Sequence, residues 1–237
     1  MKTVLHAADR RGHVSFDWLN SHHSFSFGHY HDPEKVHFGM LRVLNDDVIT
    51  GGSGFGDHPH DNMEIVSIPL YGALEHKDST GTNAVINQND VQIMSAGTGI
   101  KHSEYNHYKD KETNFLQIWV FPKERNIAPR YDQKTFKPEE RKNRFQTVVA
   151  PDDDNAVWIN QDGWFSLGNF KSDFSTTYKI KKEGNGVYVF VLAGNVTVDG
   201  QSLFKRDAFG VWDATELNIT AITNAEILLI DVPMKVE

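Results

Sequence analysis

The sequence predicts an all-β protein built from two β units, with few short helices. Three observations predict it. Short segments alternating apolar and polar residues recur along all 237 positions, bounded by Gly, Asp, Asn or Pro. Helical periodicity is scarce. The two halves share a loose strand–Gly–strand–turn rhythm: "IPLYGALEHKDS" before "NDVQIMSAG" matches "FVLAGNVTVDG" before "RDAFGVWDA" when Gly72 is set against Gly194. Each repeat ends in an aspartate that enters a strand, Asp90 and Asp207.

In chain order, "HSFSF" (23–27), "FGMLRVL" (38–44), "MEIVSIPLYG" (63–72) and "FLQIWVF" (115–121) have strand composition. So do "GVYVFVLAGNVTVDG" (186–200), "LNITAIT" (217–223) and "EILLIDVP" (226–233). Closely spaced short strands fit a sandwich or barrel. One short helix is expected in "TFKPEERKNRF" (135–145), where Pro138 opens it. That stretch lies in a charged region carrying Pro122, Pro129 and Pro138, which reads as a linker. The expected partition is an N-terminal barrel at 1–125, a charged linker at 126–144 and a C-terminal barrel at 145–237.

The composition narrows the partners. With 39% hydrophobic residues the chain can bury a core, and a net charge of −8 disfavours nucleic acid and anionic membrane as primary partners. The absence of cysteine excludes disulfides, thiolate metal sites and cysteine nucleophiles. The start, "MKTVLHAADRRGH", has no apolar leader segment, and no apolar run approaches the ~20 residues of a membrane span. A cytoplasmic protein is expected.

All twelve histidines lie at or before His107. In "GFGDHPHDNME", His58 and His60 are two apart, so on a strand both imidazoles point to one face. Glu64 has the same parity, provided the strand continues past Asp61. His102 and Glu104, in "AGTGIKHSEYN", form a second same-face pair. Two barrel strands giving two ligands each can supply three imidazoles and one carboxylate. Such a set suits Fe, Mn, Co, Ni, Cu or Zn, not Ca or Mg. Spacing leaves open whether Glu64 or Glu104 is the carboxylate. His29 and His31 form a competing pair, but Asp32-Pro33 follows at once and reads as a turn. They are expected, with His22 and His23, at strand ends or a pocket mouth. His6, His13, His37, His76 and His107 stand alone and read as structural or exposed.

"GSGFGDHPHDNMEIVSIPLYG" resembles the first cupin motif, with seven residues instead of six between Glu64 and Gly72. "AGTGIKHSEYN" resembles the end of the second, at Gly99, His102 and Asn106, without its usual Pro. Together with "WLNSHHSFSFGHYHDP", these segments are similar to the pirin family, over nearly the whole chain and most strongly from Gly12 to Phe121.

The resemblance implies a bicupin: two packed antiparallel jelly-roll barrels, with metal in the N-terminal one only. It implies ligands at His58, His60, His102 and Glu104, and one divalent transition metal per chain, with Fe(II) expected first. Glu64 then becomes either a hydrogen-bonding partner of a ligand imidazole or a surface residue on a bulged strand. Setting Gly72 on Gly194 puts Ile180 and Lys182 near the positions of His58 and His60, so the second barrel should not repeat the site.

Bacterial pirin-like proteins are associated with quercetin 2,3-dioxygenase activity. This implies O2-dependent opening of a flavonol's central ring with release of CO, and Glu104 as the base. Phe25, Phe27 and Phe55 are candidates for a wall against a flat substrate, or are ordinary core. Alternatives are an iron-binding regulatory or redox-sensing protein acting through a protein partner, and another cupin chemistry such as isomerisation. Two barrels in one chain supply an internal interface, so a monomer is expected.

Overall fold

The structure, a computed structural model, describes residues 1–235. The N-terminal half contributes β1 (Lys2–His6), β2 (Gly12–Ser15), β3 (Leu19–His23), β4 (Leu41–Ile49), β5 (Gly54–His60), β6 (Glu64–Tyr71), β7 (Ala73–Asp78), β8 (Asn83–Asn87), β9 (Asp90–Ser95), β10 (Ile100–Asn106) and β11 (Thr113–Val120). The C-terminal half contributes β12 (Arg130–Thr135), β13 (Phe145–Ala150), β14 (Val157–Trp158), β15 (Trp164–Phe170), β16 (Ser175–Lys179), β17 (Asn185–Ala193), β18 (Val196–Val198), β19 (Gln201–Leu203), β20 (Ala208–Trp212), β21 (Glu216–Ala221) and β22 (Ala225–Pro233). Among the described residues the only helical segments are two 3-10 turns, Ala8–Arg10 and Pro138–Arg141.

Each barrel is a large sheet closed by a small one. In the N-terminal barrel the order β12-β9-β6-β11-β4-β3-β2 faces β5-β10-β7-β8. In the C-terminal barrel β1-β20-β17-β22-β15-β13-β14 faces β16-β21-β18-β19. The matching orders bear out two cupin barrels in one chain. The repeat is visible in detail. Gly72 and Gly194 both have positive φ, 80° and 76°. Asp90 accepts the Asn87 N–H at 2.8 Å, as Asp207 accepts the Phe204 N–H at 2.9 Å.

The two large sheets pack on one another. Leu44, Val66, Ile93 and Ile118 of the first join Val148, Phe165, Tyr188 and Leu228 of the second in one buried cluster. Alternation along each strand turns the intervening residues inward. The C-terminal lumen is filled with hydrocarbon, including Val187, Val189, Leu217, Ile219 and Leu229. The N-terminal lumen is apolar at one end, around Leu74, Ile86 and Phe115, and polar toward the other.

Several expectations change. "HSFSF" is not a strand: β3 ends at His23, and the Ser26 N–H bonds the Lys35 carbonyl within a loop. The strand expected at 38–44 starts only at Leu41, and that at 186–200 splits at Gly194. The helix expected at 135–145 shrinks to one 3-10 turn opened by Pro138, closed by extended Lys142 and positive-φ Asn143.

The partition changes too. Residues 126–144 are not a free linker, since β12 adds to the N-terminal sheet beside β9. Residues 1–125 are not all N-terminal barrel, since β1 pairs with β20 of the other. The strand preceding each barrel thus completes its neighbour.

Candidate metal centre

Gly54 starts β5 because the strand lies hard against β10: a Cβ there would meet the Glu104 carbonyl oxygen at 2.3 Å. Further along, Pro59 is exposed while His58 and His60 turn inward. His102 of β10 pairs directly with His58 of β5. A bulge in β5 follows, so Glu104 falls opposite Phe55.

The three imidazoles converge. Ring centroids are 4.4 Å apart for His58–His102, 4.8 Å for His58–His60 and 4.9 Å for His60–His102. Their nitrogens come within 4.8 Å of one another, as do donor atoms of His76, His102 and Glu104. His102 belongs to both groups. The His58 Nδ1 is 2.8 Å from the Gly56 carbonyl, which only accepts; Nδ1 therefore carries the proton and Nε2 a free lone pair. Burial first, then the neighbouring imidazoles, lowers His60 to about 4 and His102 to about 3. Both rings are neutral at physiological pH, as a ligand imidazole must be. Glu104 accepts from Gln117 Nε2 at 2.5 Å and Ser67 Oγ at 3.0 Å.

Both nitrogens of His102 are buried without a hydrogen-bond partner. Buried polar atoms are rarely left so. Three imidazoles and an adjacent carboxylate, with unpaired lone pairs between them, fit a borderline divalent transition metal.

The chain matches the Pirin family over residues 5–120 and the quercetinase C-terminal cupin domain over 147–232. It is 41% identical to the quercetin 2,3-dioxygenase of Escherichia coli K12 over 97% of this chain and 98% of that one. The chain belongs to the pirin family. The crystal structure of the bacterial pirin YhhW from Escherichia coli in complex with nickel(II) superposes with a TM-score of 0.93 at 39% identity, covering 99% of this chain and 100% of that one. A pirin-like protein of Caulobacter vibrioides is 39% identical over 94% of this chain and 96% of that one.

In this pirin the second barrel lacks the histidines. Sheet register moves the correspondence by two residues from the one expected: Tyr178 and Ile180, not Ile180 and Lys182, stand where His58 and His60 do. By the same register Leu217, Ile219 and Val198 replace His102, Glu104 and His76.

Glu64 lies in neither expected place. β5 stops at His60, Asn62 turns with φ 44°, and β6 begins at Glu64 with its parity reset. The side chain points through the sheet toward the C-terminal barrel. Its Oε2 accepts from Ser95 Oγ at 2.8 Å and the Asn160 N–H at 3.1 Å, and burial raises its pKa.

A cavity of about 200 Å³ opens beside His58 and Glu104. Phe27 and Phe55 line it; Phe25 does not, being wholly buried in the shared core against Tyr188. His23 and exposed His29 line its wall and mouth, while His31 is exposed. The sequence reading missed Phe16, Trp119, Gln117 and Asp47 here. Trp119 also meets His60 edge-to-face at 4.8 Å. Burial raises Asp47 to about 7 against the opposing hydrogen bond from Ser21. Period-2 alternation around "QIW" and "NDD" was the only signal for Gln117, Trp119 and Asp47. His76, read as isolated, is fully buried beside the cluster.

Proposed function

We propose that the chain is a metal-dependent dioxygenase of the quercetin 2,3-dioxygenase type. It opens the central ring of a flavonol with O2 and releases CO. The convergence of His58, His60 and His102 next to Glu104, beside an aromatic-lined cavity that His58 and Glu104 reach, carries this reading. The 41% identity to the Escherichia coli quercetin 2,3-dioxygenase supports it.

His58, His60, His102 and Glu104 would hold one divalent transition metal, Fe(II) or, as in the YhhW complex, nickel(II). Bound there, it would supply a Lewis acid and open positions for the substrate oxygen and O2. The remaining work falls to the chain. Phe27, Phe55 and Trp119 offer faces and edges to a flat ring system. The cavity is below the roughly 300–1,000 Å³ usual for small-molecule sites, so part of the substrate projects through the mouth beside His29. Glu104 takes the proton of the flavonol hydroxyl. Gln117 and Ser67 hold the carboxylate in place and disperse its charge.

The test is to strip the protein, reload it singly with Fe(II), Mn(II), Co(II), Ni(II) and Cu(II), and add quercetin under air. Loss of the flavonol absorbance with CO release is expected with at least one metal. Absence of turnover with all five would overturn the activity. His58→Ala, His102→Ala and Glu104→Ala should each cut metal occupancy sharply, and His29→Ala should not.

A further inference from the structure

β10 has a neighbour on each side, β5 and β7, so His102 stands between two sets of side chains. On the β5 side are His58 and His60. On the β7 side, His76 pairs across from Glu104, and Asp78 pairs across from His102 itself. Directly paired residues share a sheet face, so all of these point into the lumen.

The side chains of His76 and Asp78 are both fully buried, with His76 Nε2 2.9 Å from Asp78 Oδ2. A carboxylate only accepts, so Nε2 donates to it and Nδ1 is the ring nitrogen left to accept. That Nδ1 has no partner, and neither do the two nitrogens of His102. The rings are 5.3 Å apart between centroids and tilted by 49°.

Asp78 is itself fixed. Its Oδ1 accepts from Thr80 Oγ1 at 2.6 Å and from the backbone N–H groups of Thr80 and Thr82 at 2.9 and 3.2 Å. This leaves Oδ2 for the imidazole. The Tyr131 ring packs on His76 at 4.8 Å.

We propose that His76 is a positioning residue for the metal centre: its Nδ1 accepts the N–H of metal-bound His102, and Asp78 holds His76 in the tautomer that can accept. The inference rests on the metal reading above. A ligand imidazole needs an acceptor for its second nitrogen, which fixes its orientation and raises its basicity. His58 has the Gly56 carbonyl for this purpose. His102 has His76, and a modest ring rotation on loading closes the gap. The chain runs from the Thr80–Thr82 turn through Asp78, His76 and His102 to the metal.

The experiment titrates Ni(II) into metal-free protein against a chromophoric chelator. It compares wild type, His76→Phe, His76→Asn and Asp78→Asn. His76→Phe should weaken binding about 10- to 100-fold while still saturating at one ion per chain. His76→Asn, with a carbonyl near the Nδ1 position, should recover part of the loss. Asp78→Asn should weaken binding by a smaller factor.

In the Zn(II)-loaded wild type, nitrogen-15 NMR should give His76 as the Nε2–H tautomer and correlate the His102 N–H with His76 Nδ1. If His76→Phe fails to fold, this correlation and Asp78→Asn carry the test. Unchanged affinity in a folded His76→Phe, or no correlation in wild type, would overturn the proposal. So would loss of the saturating ion, which would make His76 a ligand. Wild type that binds no metal would overturn the metal reading and this proposal together. Metal binding without quercetin turnover would fell only the proposed activity.

Discussion

His6 sits where the two barrels meet, its Nδ1 2.8 Å from the Tyr188 hydroxyl, and burial lowers its pKa to about 4. The unfolded chain takes up this proton near pH 6.5, the folded chain only near 4. Stability should therefore fall as pH drops from 6.5 toward 4, by on the order of 3 kcal/mol from this group, and its contribution should be flat on either side. His6→Gln should make that part of a denaturation profile shallower, leaving the shares of His60 and His102 in place. Glu64 supplies a second expectation at this scale. Because it bonds Ser95 of its own sheet and the Asn160 backbone across the barrel interface, Glu64→Gln should bind metal with wild-type stoichiometry. Loss of the ion in that variant would return Glu64 to the ligand set. Residue chemistry was legible in the HxH and HxE spacings. Glu64 was not, because one turn at Asn62 resets strand parity and no spacing rule sees a turn inside a motif.

Among the elements, the turn at Gly72 and the edge strand β1 invite direct tests. Gly72 has φ 80°, and a Cβ there would meet Thr113 Oγ1 at 2.3 Å and Thr113 Cα at 2.9 Å. Gly72→Ala should cost more than the ~1 kcal/mol of conformational strain alone, read as a lower midpoint in denaturant. β1 pairs residue by residue with β20, from Lys2↔Trp212 to His6↔Ala208. Removing residues 1–7 would bare the β20 edge and strip away the Val4 side chain that packs on the shared core. A lower Tm and concentration-dependent light scattering are expected, since unpaired edges recruit other strands. Strands buried on both faces, such as β6, β11 and β22, were readable from their apolar runs. β1 and β12 were not, because a short edge strand draws its order from the partner sheet and carries little pattern of its own.

Across the whole molecule, the barrels share one core and each completes the other's large sheet. Ile118→Ala, in that shared core, should cost roughly 2–5 kcal/mol and shift a single cooperative unfolding transition instead of splitting it. Residues 145–237 expressed alone lack β1 and expose the face of β15, β17 and β22 that covers the N-terminal sheet. The fragment should be unfolded or aggregated by circular dichroism and sedimentation. Two independently folded fragments would contradict the shared core.

Some properties follow from the sequence by itself. Strand alternation and turn residues specify an all-β chain with an internal repeat, and every histidine lies in its first half. The pairs His58/His60 and His102/Glu104 are set by period-2 geometry, which is local and needs no knowledge of the partner strand. Other properties depend on which strands meet across the sheets. Only the tertiary structure sends Glu64 to the far face, moves Phe25 into the interface and carries β1 to the opposite barrel. Only the pairing of β7 beside β10 sets Asp78 and His76 behind His102, because contacts between strands 24 or more residues apart are decided by register and packing, which no local pattern encodes.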